Sequence, residues 1–171
     1  MKLPFSEIPA EGLRLTVGYG PWFPDEDFPH CADVSVIVSI DRKAGGVLLE
    51  GELVTVVELD CDRCLEKYKF PFEISFRLVL ELSGHESSIG EHGEYACSSN
   101  DMDTMFLDEP VVDLDSILQH QVFLAIPLKK ICQDNCKGLC AKCGENLNSE
   151  HCGCGNEIND SLFGVLEKFK G

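Results

Sequence analysis

Eight of the ten cysteines in this chain stand in four close pairs, and this feature restricts its fold most strongly. The pairs occur as CDRC at residues 61–64, CQDNC at 132–136, CAKC at 140–143 and CGC at 152–154. A structural zinc ion takes four thiolates in a tetrahedron, usually as two such pairs from separate turns. The spacing therefore predicts two zinc ions with these eight ligands: Cys61, Cys64, Cys132, Cys136, Cys140, Cys143, Cys152 and Cys154.

Distances along the chain indicate how the pairs combine. Cys140 to Cys154 spans only fifteen residues, so the last two pairs can close a compact site by themselves. The pairs at 61–64 and 132–136 would then share the other metal and join two distant segments. Gly144, directly after CAKC, is typical of a turn in which backbone N–H groups point toward sulfur.

Other sulfur chemistry fits the spacing less well. The run CKGLCAKC has the spacing of radical S-adenosylmethionine enzymes, but only 28 residues follow Cys143, too few for the barrel those enzymes need. The ferredoxin spacing is absent. A redox CxxC pair opens a helix, whereas the residues after Cys64 alternate as a strand. Cys31 and Cys97 stand alone and are expected to be ordinary thiols.

Apolar residues alternate along three segments that the sequence predicts as strands. They are residues 33–41, 47–59 and 66–82, and apolar or aromatic residues hold nearly every even position of the last one. Short connections make the three an antiparallel meander. A helix is predicted over 113–126, because the carboxylate of Asp113 can cap its first turn and apolar residues then recur at helical spacing.

These elements predict an α+β fold, with an antiparallel meander, two helices and a cysteine-rich zinc-binding region toward the C-terminus. The main domain is expected over residues 1–131, with an acidic loop at 83–110. Residues 132–158 would form the metal-binding segment. A second helix within 159–171 has an apolar stripe and is expected to pack on the domain.

The chain has a formal net charge of −16, and its acidity is uneven. No lysine or arginine occurs from Leu78 to Leu128, and a field of this sign repels nucleic acid at long range and attracts basic partners. The competing explanation for the negative charge is that it only keeps the protein soluble. The sequence has neither a membrane-length apolar run nor a secretory signal, so we expect a cytoplasmic protein with reduced thiols and no membrane contact.

Basic side chains flank the cysteines of this acidic chain. If the pairs at 61–64 and 132–136 share a metal, most of these cations converge. One interpretation is that they neutralise thiolate charge. The other is that they bind RNA phosphates while a tyrosine stacks on a base, with these predicted contacts: Arg63, Lys67, Tyr68, Lys129 and Lys130.

No arrangement of catalytic residues stands out. The sequence contains no Ser–His–Asp order, no phosphate loop and no nucleotide-binding fingerprint. Two complete four-thiolate sites would also leave zinc without an open position for a substrate. We therefore expect no enzymatic activity, and we expect no DNA binding.

Four segments together resemble a known family. They are CDRCLEKYKFPFE, VDLDSILQHQVFLAIPL, CKGLCAKCGENLN and CGC, within residues 47–154, and their combination resembles the YceD-like family of large ribosomal RNA accumulation proteins. The resemblance implies a non-enzymatic factor in large-subunit ribosomal RNA accumulation, or ribosome biogenesis. Its implied partners are large-subunit ribosomal RNA, a basic ribosomal protein, or both. Residues 1–46 and the acidic loop match poorly.

Two other functions stay open at this point. A zinc-ribbon module that regulates or scaffolds protein partners, without RNA contact, would use the same ligands. The other is a metal-dependent or redox enzyme, which a colourless protein with zinc and eight blocked thiols would disfavour. Metal analysis with thiol counting separates the enzyme from the other two, and a pull-down with RNase treatment separates RNA from protein partners.

Overall fold

The computed structural model describes residues 1–83, 103–149 and 152–154. The chain divides into two compact units, the first with residues 1–59 and 68–128 and the second with residues 60–67 and 129–171. The strands and the α-helix in chain order are β1 (Lys2–Pro4), β2 (Leu13–Gly18), β3 (Ser35–Lys43), β4 (Gly46–Asp60), β5 (Lys67–Leu82), β6 (Thr104–Leu107), β7 (Val111–Asp113) and α1 (Leu114–Ala125), and a short 3-10 helix, Phe5–Glu7, follows β1.

The first unit is built on a five-stranded sheet with the order β2-β3-β4-β5-β6. β3 runs antiparallel to both β2 and β4, with Ile40 opposite Leu13 on one side and Leu49 on the other. β4 and β5 are neighbours whose connection, residues 61–66, is too short for a parallel crossover. The antiparallel meander predicted from the sequence is therefore confirmed. β1 and β7 pair separately, also antiparallel.

Alternation along the strands places every second side chain in the core of the first unit. On β3 the buried positions are Val36, Val38 and Ile40, and β-branched side chains suit a strand that is half buried. β5 contributes Phe72 and Ile74 to the same core. α1 adds an apolar stripe to it: Leu114, Ile117, Leu118 and Val122.

The helix α1 begins and ends within one residue of the predicted bounds. Asp113 is its N-cap, and its side chain accepts a hydrogen bond from the N–H of Ser116 at 3.4 Å. The backbone becomes extended at Ile126, before Pro127, as is usual for a residue that precedes proline. Among the described residues, no helix is long and apolar enough to cross a membrane.

The main difference from the sequence prediction lies in the segment 83–110, which was expected to be an acidic loop. Thr104–Leu107 forms β6 there and pairs in parallel with the end of β5. Met105 packs against the core, so this four-residue strand depends on partners far away in the chain, which local periodicity cannot reveal. Residues 84–102 and the predicted second helix within 159–171 lie outside the described residues.

Candidate metal centres

Both groups of four cysteines assemble within the second unit. In each group the four sulfur atoms all lie within 4.8 Å of one another. All nine cysteines that the structure describes are free thiols. The grouping is the one that chain spacing favours: the first centre contains Cys61, Cys64, Cys132 and Cys136, and the second contains Cys140, Cys143, Cys152 and Cys154.

The distances between sulfur atoms in the first centre suit a metal ion with four ligands in a tetrahedron. The Sγ atoms of Cys61 and Cys136 are 3.8 Å apart, and those of Cys64 and Cys132 are 3.7 Å apart. Four sulfurs at the usual zinc–sulfur distance of about 2.3 Å are separated by about 3.8 Å along each edge of the tetrahedron. These two separations match a tetrahedral four-thiolate zinc site, and the other sulfur pairs lie within 4.8 Å.

Two hydrogen bonds between Asp62 and Lys130 bring the two halves of the first centre together. The N–H of Asp62 donates to the carbonyl of Lys130 at 2.8 Å, and the N–H of Lys130 donates to Asp62 Oδ2 at 2.7 Å. Two residues further on, the N–H of Cys132 donates to Cys61 Sγ at 3.4 Å. The loop 61–66 and the segment after α1 are thus aligned by their own hydrogen bonds, which positions the four sulfurs.

Arg63 makes a second link across the first centre. Its Nη1 donates to the carbonyl of Cys136 at 2.9 Å. Gly138 has a φ of +76°, and a Cβ on it would lie 3.1 Å from the carbonyl oxygen of Arg63. A larger residue at Gly138 would therefore meet both backbone strain and a close contact, so glycine suits this position best.

Asn148 supports a ligand of the first centre from outside. Its Nδ2 donates to Cys136 Sγ at 3.3 Å, and its Oδ1 accepts from the N–H of Lys137 at 2.8 Å. Such hydrogen bonds orient a ligand and stabilise its thiolate. The sequence analysis did not single out Asn148, Asp62 or Gly138, because isolated polar residues and glycines carry no spacing signal.

A turn with its own backbone hydrogen bonds supplies two of the four sulfurs of the second centre. The N–H of Cys140 donates to the carbonyl of Glu145 at 2.8 Å, and the N–H of Gly144 donates to the carbonyl of Cys140 at 2.9 Å. Gly144 has a left-handed backbone with φ +76°. We refer to this six-residue turn, residues 140–145, as a knuckle. Residues 152–154 supply the other two sulfurs.

The two centres differ in their exposure to solvent. In the first centre Cys61, Cys64 and Cys136 are buried and Cys132 is half-buried. In the second centre Cys143 is exposed and the other three cysteines are half-buried. Solvent and small reagents can therefore reach the second centre more easily than the first.

Hydrogen bonds and burial give the cysteine thiols of the first centre very different pKa values. Burial raises the pKa of Cys61, but the N–H groups of Cys64, Cys132 and Arg63 outweigh burial and bring this pKa to about 6. Burial, together with the neighbouring sulfurs, raises the pKa of Cys132 to about 12. One thiol thus ionises readily while another resists a further negative charge. A bound cation removes that repulsion and favours four thiolates together.

The second centre shows the same separation of acidities. The N–H groups of Cys143 and Lys142 lower the pKa of Cys140 to about 6. The sulfur of Cys143 is the main reason that the pKa of Cys154 rises to about 11. The sulfur of Cys140 likewise raises the pKa of Cys152. Both centres therefore have the donor set and the electrostatics of a four-thiolate metal site.

The predicted RNA contacts belong to both units. Arg63, Lys67 and Lys129 are exposed members of the second unit, and Lys130 there is half-buried. The hydrogen bonds between Asp62 and Lys130 bring the lysine pair beside the loop 61–66. Tyr68 belongs to β5 of the first unit, where it is half-buried against that unit's core.

The sequence matches the family described as large ribosomal RNA subunit accumulation protein YceD over residues 49–170. A similar protein is the large ribosomal RNA subunit accumulation protein YCED homolog 1, chloroplastic, of Arabidopsis thaliana, with 31% identity over 92% of this chain and 53% of the relative. The Zea mays protein of the same name is 30% identical over 70% of this chain and 48% of the relative.

A more distant relative is an uncharacterized protein of Mycobacterium tuberculosis, 26% identical over 65% of this chain and 50% of the relative. The chain thus spans about half the length of the curated relatives it matches. No solved structure shows a significant match to it.

Proposed function

Because this chain belongs to the YceD family of large ribosomal RNA subunit accumulation proteins, we propose that it is a non-enzymatic factor supporting the accumulation of large-subunit ribosomal RNA. The family match over residues 49–170 carries this proposal, since it includes all eight cysteines of the two centres. We place its action in the cytoplasm, as the sequence predicts, although two relatives are named as chloroplastic.

We propose that the two centres hold structural zinc ions. The sulfur separations of 3.7 and 3.8 Å in the first centre support zinc, and four sulfur donors leave the metal no position for a substrate. Native mass spectrometry should show two zinc ions per chain, and thiol counting should find eight thiols blocked. A single metal, or the absorption band of an iron–sulfur cluster, would contradict this assignment.

Charge favours the second unit as the part that contacts RNA. The first unit carries six basic and 21 acidic side chains, a net charge of −15, whereas the second carries eight and nine, a net charge of −1. Two zinc ions with eight thiolates would make the second unit more negative, but it would still repel phosphate far less than the first. Contact with RNA would therefore depend on a local set of cations.

These cations are the exposed Arg63, Lys67 and Lys129, together with the half-buried Lys130. In the proposal they bind phosphates, which positions the protein on RNA without reading its sequence. Arg63 also donates to the carbonyl of Cys136, so it supports the first centre as well. Tyr68 is the least suited of the predicted contacts, because it packs against the core of the first unit.

The test is binding of the metal-loaded full chain to large-subunit ribosomal RNA fragments over a salt series. Lys67, Lys129 and Lys130 would be changed to Glu together, which leaves Arg63 in place to support the first centre. We expect a loss of affinity of at least about tenfold and a shallower salt dependence, because three phosphate contacts are removed.

A matched variant controls for the change in overall charge. Arg14, Lys43 and Lys69 are exposed cations of the first unit, and changing them to Glu alters the net charge by the same amount. This control should bind RNA nearly as well as the wild type. Equal losses in the two variants would mean that total charge, and not the second unit, governs binding.

A second candidate function is recruitment of a basic ribosomal protein by the acidic first unit, with no RNA contact. The net charge of −15 on that unit favours it. Under this alternative, neutralising Glu91, Glu94, Asp101 and Asp103 would abolish binding to a basic ribosomal protein. A pull-down that survives RNase treatment, together with no RNA binding by the wild type at low salt, would favour this alternative.

A further inference from the structure

The CxxC pair of the first centre forms the same knuckle as residues 140–145 of the second. The N–H of Cys61 donates to the carbonyl of Glu66 at 2.9 Å, and the N–H of Leu65 donates to the carbonyl of Cys61 at 2.9 Å. These are the two hydrogen bonds that define the knuckle of the second centre. The position after the second cysteine is therefore equivalent in the two turns.

This position requires a left-handed backbone, and the two knuckles fill it differently. Gly144 has φ +76°, and Leu65 has φ +60°. Within the described part of the chain, Leu65 is the only residue other than glycine with a positive φ. The left-handed conformation brings Cβ close to the following carbonyl oxygen, a strain that glycine avoids. A leucine here makes the turn less stable than a glycine would.

Burial does not offset this strain. The side chain of Leu65 is 67% exposed, and it is not part of the hydrophobic core. The turn itself needs no side chain at this position, as Gly144 demonstrates. Residues other than glycine with a left-handed backbone cluster at active sites and ligand-binding sites. The exposed leucine is therefore better explained by a contact with a partner.

The neighbours of Leu65 indicate what that partner is. Arg63 and Lys67, two residues away on either side, are both exposed, and Arg63 is held in place by the carbonyl of Cys136. Two acids lie nearby. Asp62 accepts a hydrogen bond from the N–H of Lys130, whereas Glu66 is exposed to solvent. An apolar side chain between two cations suits a ligand with flat apolar faces and a charged backbone. Single-stranded RNA has both.

We infer that Leu65 packs on the face of an unpaired base of single-stranded RNA, with Arg63 and Lys67 at the adjacent phosphates. The inference rests on the proposed function, because it names the part of the RNA that the second unit contacts. It makes the knuckle of the first centre a binding element and leaves the knuckle of the second centre, with Gly144 at the same position, as a structural turn.

The test uses Leu65→Gly in the metal-loaded full chain. Glycine removes the side chain and relieves the backbone strain, so the variant should unfold at the same or a higher denaturant concentration than the wild type. It should nevertheless bind an unstructured RNA oligonucleotide about fivefold to tenfold more weakly, since one partly buried leucine contact is lost. Loss of binding together with higher stability cannot be explained by misfolding.

Two comparisons make the outcome specific. Leu124 on α1 is 66% exposed, so Leu124→Ala removes an equally exposed leucine and should leave RNA affinity unchanged. An oligonucleotide of the same length without bases should bind the wild type and Leu65→Gly equally well, because only the base contact is absent.

The results distinguish a failure of the Leu65 base contact from a failure of the RNA-binding function. If the wild type binds RNA and Leu65→Gly binds it equally tightly, the base contact is wrong while the RNA function stands. If the wild type binds no RNA at low salt, both fail. If Leu65→Gly instead loses binding to a ribosomal protein, the leucine is an anchor for a protein pocket and the base contact is overturned.

Discussion

The two candidate metal centres each offer four cysteine sulfurs, but they are assembled from different parts of the chain. The first joins Cys61 to Cys136 across 75 positions and buries three of its four cysteines. The second lies between Cys140 and Cys154, and its Cys143 is exposed. Identical donor sets can therefore have different effects on folding, since a metal that joins distant segments restricts the unfolded chain more than one that closes a short loop.

Supporting contacts differ between the centres in the same way. The first centre has the Asp62–Lys130 tie, the Arg63 link to Cys136 and the Asn148 hydrogen bond to sulfur. The second depends on the knuckle with its own backbone hydrogen bonds. We therefore expect the first centre to determine the fold of the second unit and the second centre to order a local loop.

The largest expected effect comes from removing one ligand of each centre. Cys61→Ser should lower the free energy of unfolding more than Cys152→Ser, and the longer loop alone makes the difference about 1.5 kcal/mol. Denaturant unfolding measures the stability of each variant, and native mass spectrometry of the folded variant measures its metal content. Equal midpoints, or a lower midpoint for Cys152→Ser, would mean that the first centre is not the main determinant of the fold.

The next effect is the order in which metal leaves the protein. During incubation with a strong chelator, the zinc ion proposed for the second centre should leave first, because Cys143 is exposed while most sulfurs of the first centre are buried. Native mass spectrometry over time should show a one-zinc intermediate. Cys143→Ser identifies the centre: the wild-type intermediate and this variant should lose their remaining zinc at the same slow rate. Simultaneous loss of both ions would contradict the comparison.

A smaller effect is expected from Asn148, which supports only the first centre. Asn148→Ala removes its hydrogen bonds to Cys136 Sγ and to the N–H of Lys137, and should cost about 1–2 kcal/mol of unfolding free energy. Asn148→Asp keeps the acceptor for Lys137 but places a carboxylate beside a thiolate, so it should be more destabilising than alanine. An aspartate variant as stable as the wild type would contradict this support of a Cys136 thiolate by Asn148.

The smallest expected difference is that between two glycine variants, at positions with the same backbone conformation. Gly138 and Gly144 both have φ +76°, so alanine at either position should cost about 1–2 kcal/mol from backbone strain. A Cβ at Gly138 would also lie 3.1 Å from the carbonyl of Arg63, whereas a Cβ at Gly144 has nothing within 4 Å. Denaturant midpoints should therefore fall further for Gly138→Ala, and equal midpoints would show that the Arg63 loop moves freely.

Local signals in the sequence predicted much of the fold. The alternation along 66–82 corresponds to β5, and the cap at Asp113 corresponds to the start of α1. Both depend on side chains a few residues apart, so they can be recognised from the sequence alone. β6 could not be recognised, since a four-residue strand is stabilised by its pairing with β5 and by packing against the core.

The candidate centres divide in the same way. The four close cysteine pairs in the sequence predict two four-thiolate sites, because the two cysteines of each pair are only two to four residues apart in the chain. The supporting residues Asp62, Gly138 and Asn148 act through partners elsewhere in the chain, so nothing in their local sequence distinguishes them.

By itself, the sequence determined the strands with regular alternation, the capped helix and the cysteine pairs, because each arises from residues close together in the chain. The tertiary structure alone decided that Leu65 has a left-handed backbone with its side chain exposed, and that Arg63 is bound to the carbonyl of Cys136. The first depends on hydrogen bonds within the folded loop 61–66, and the second joins segments 73 residues apart. Neither leaves a periodic pattern in the sequence.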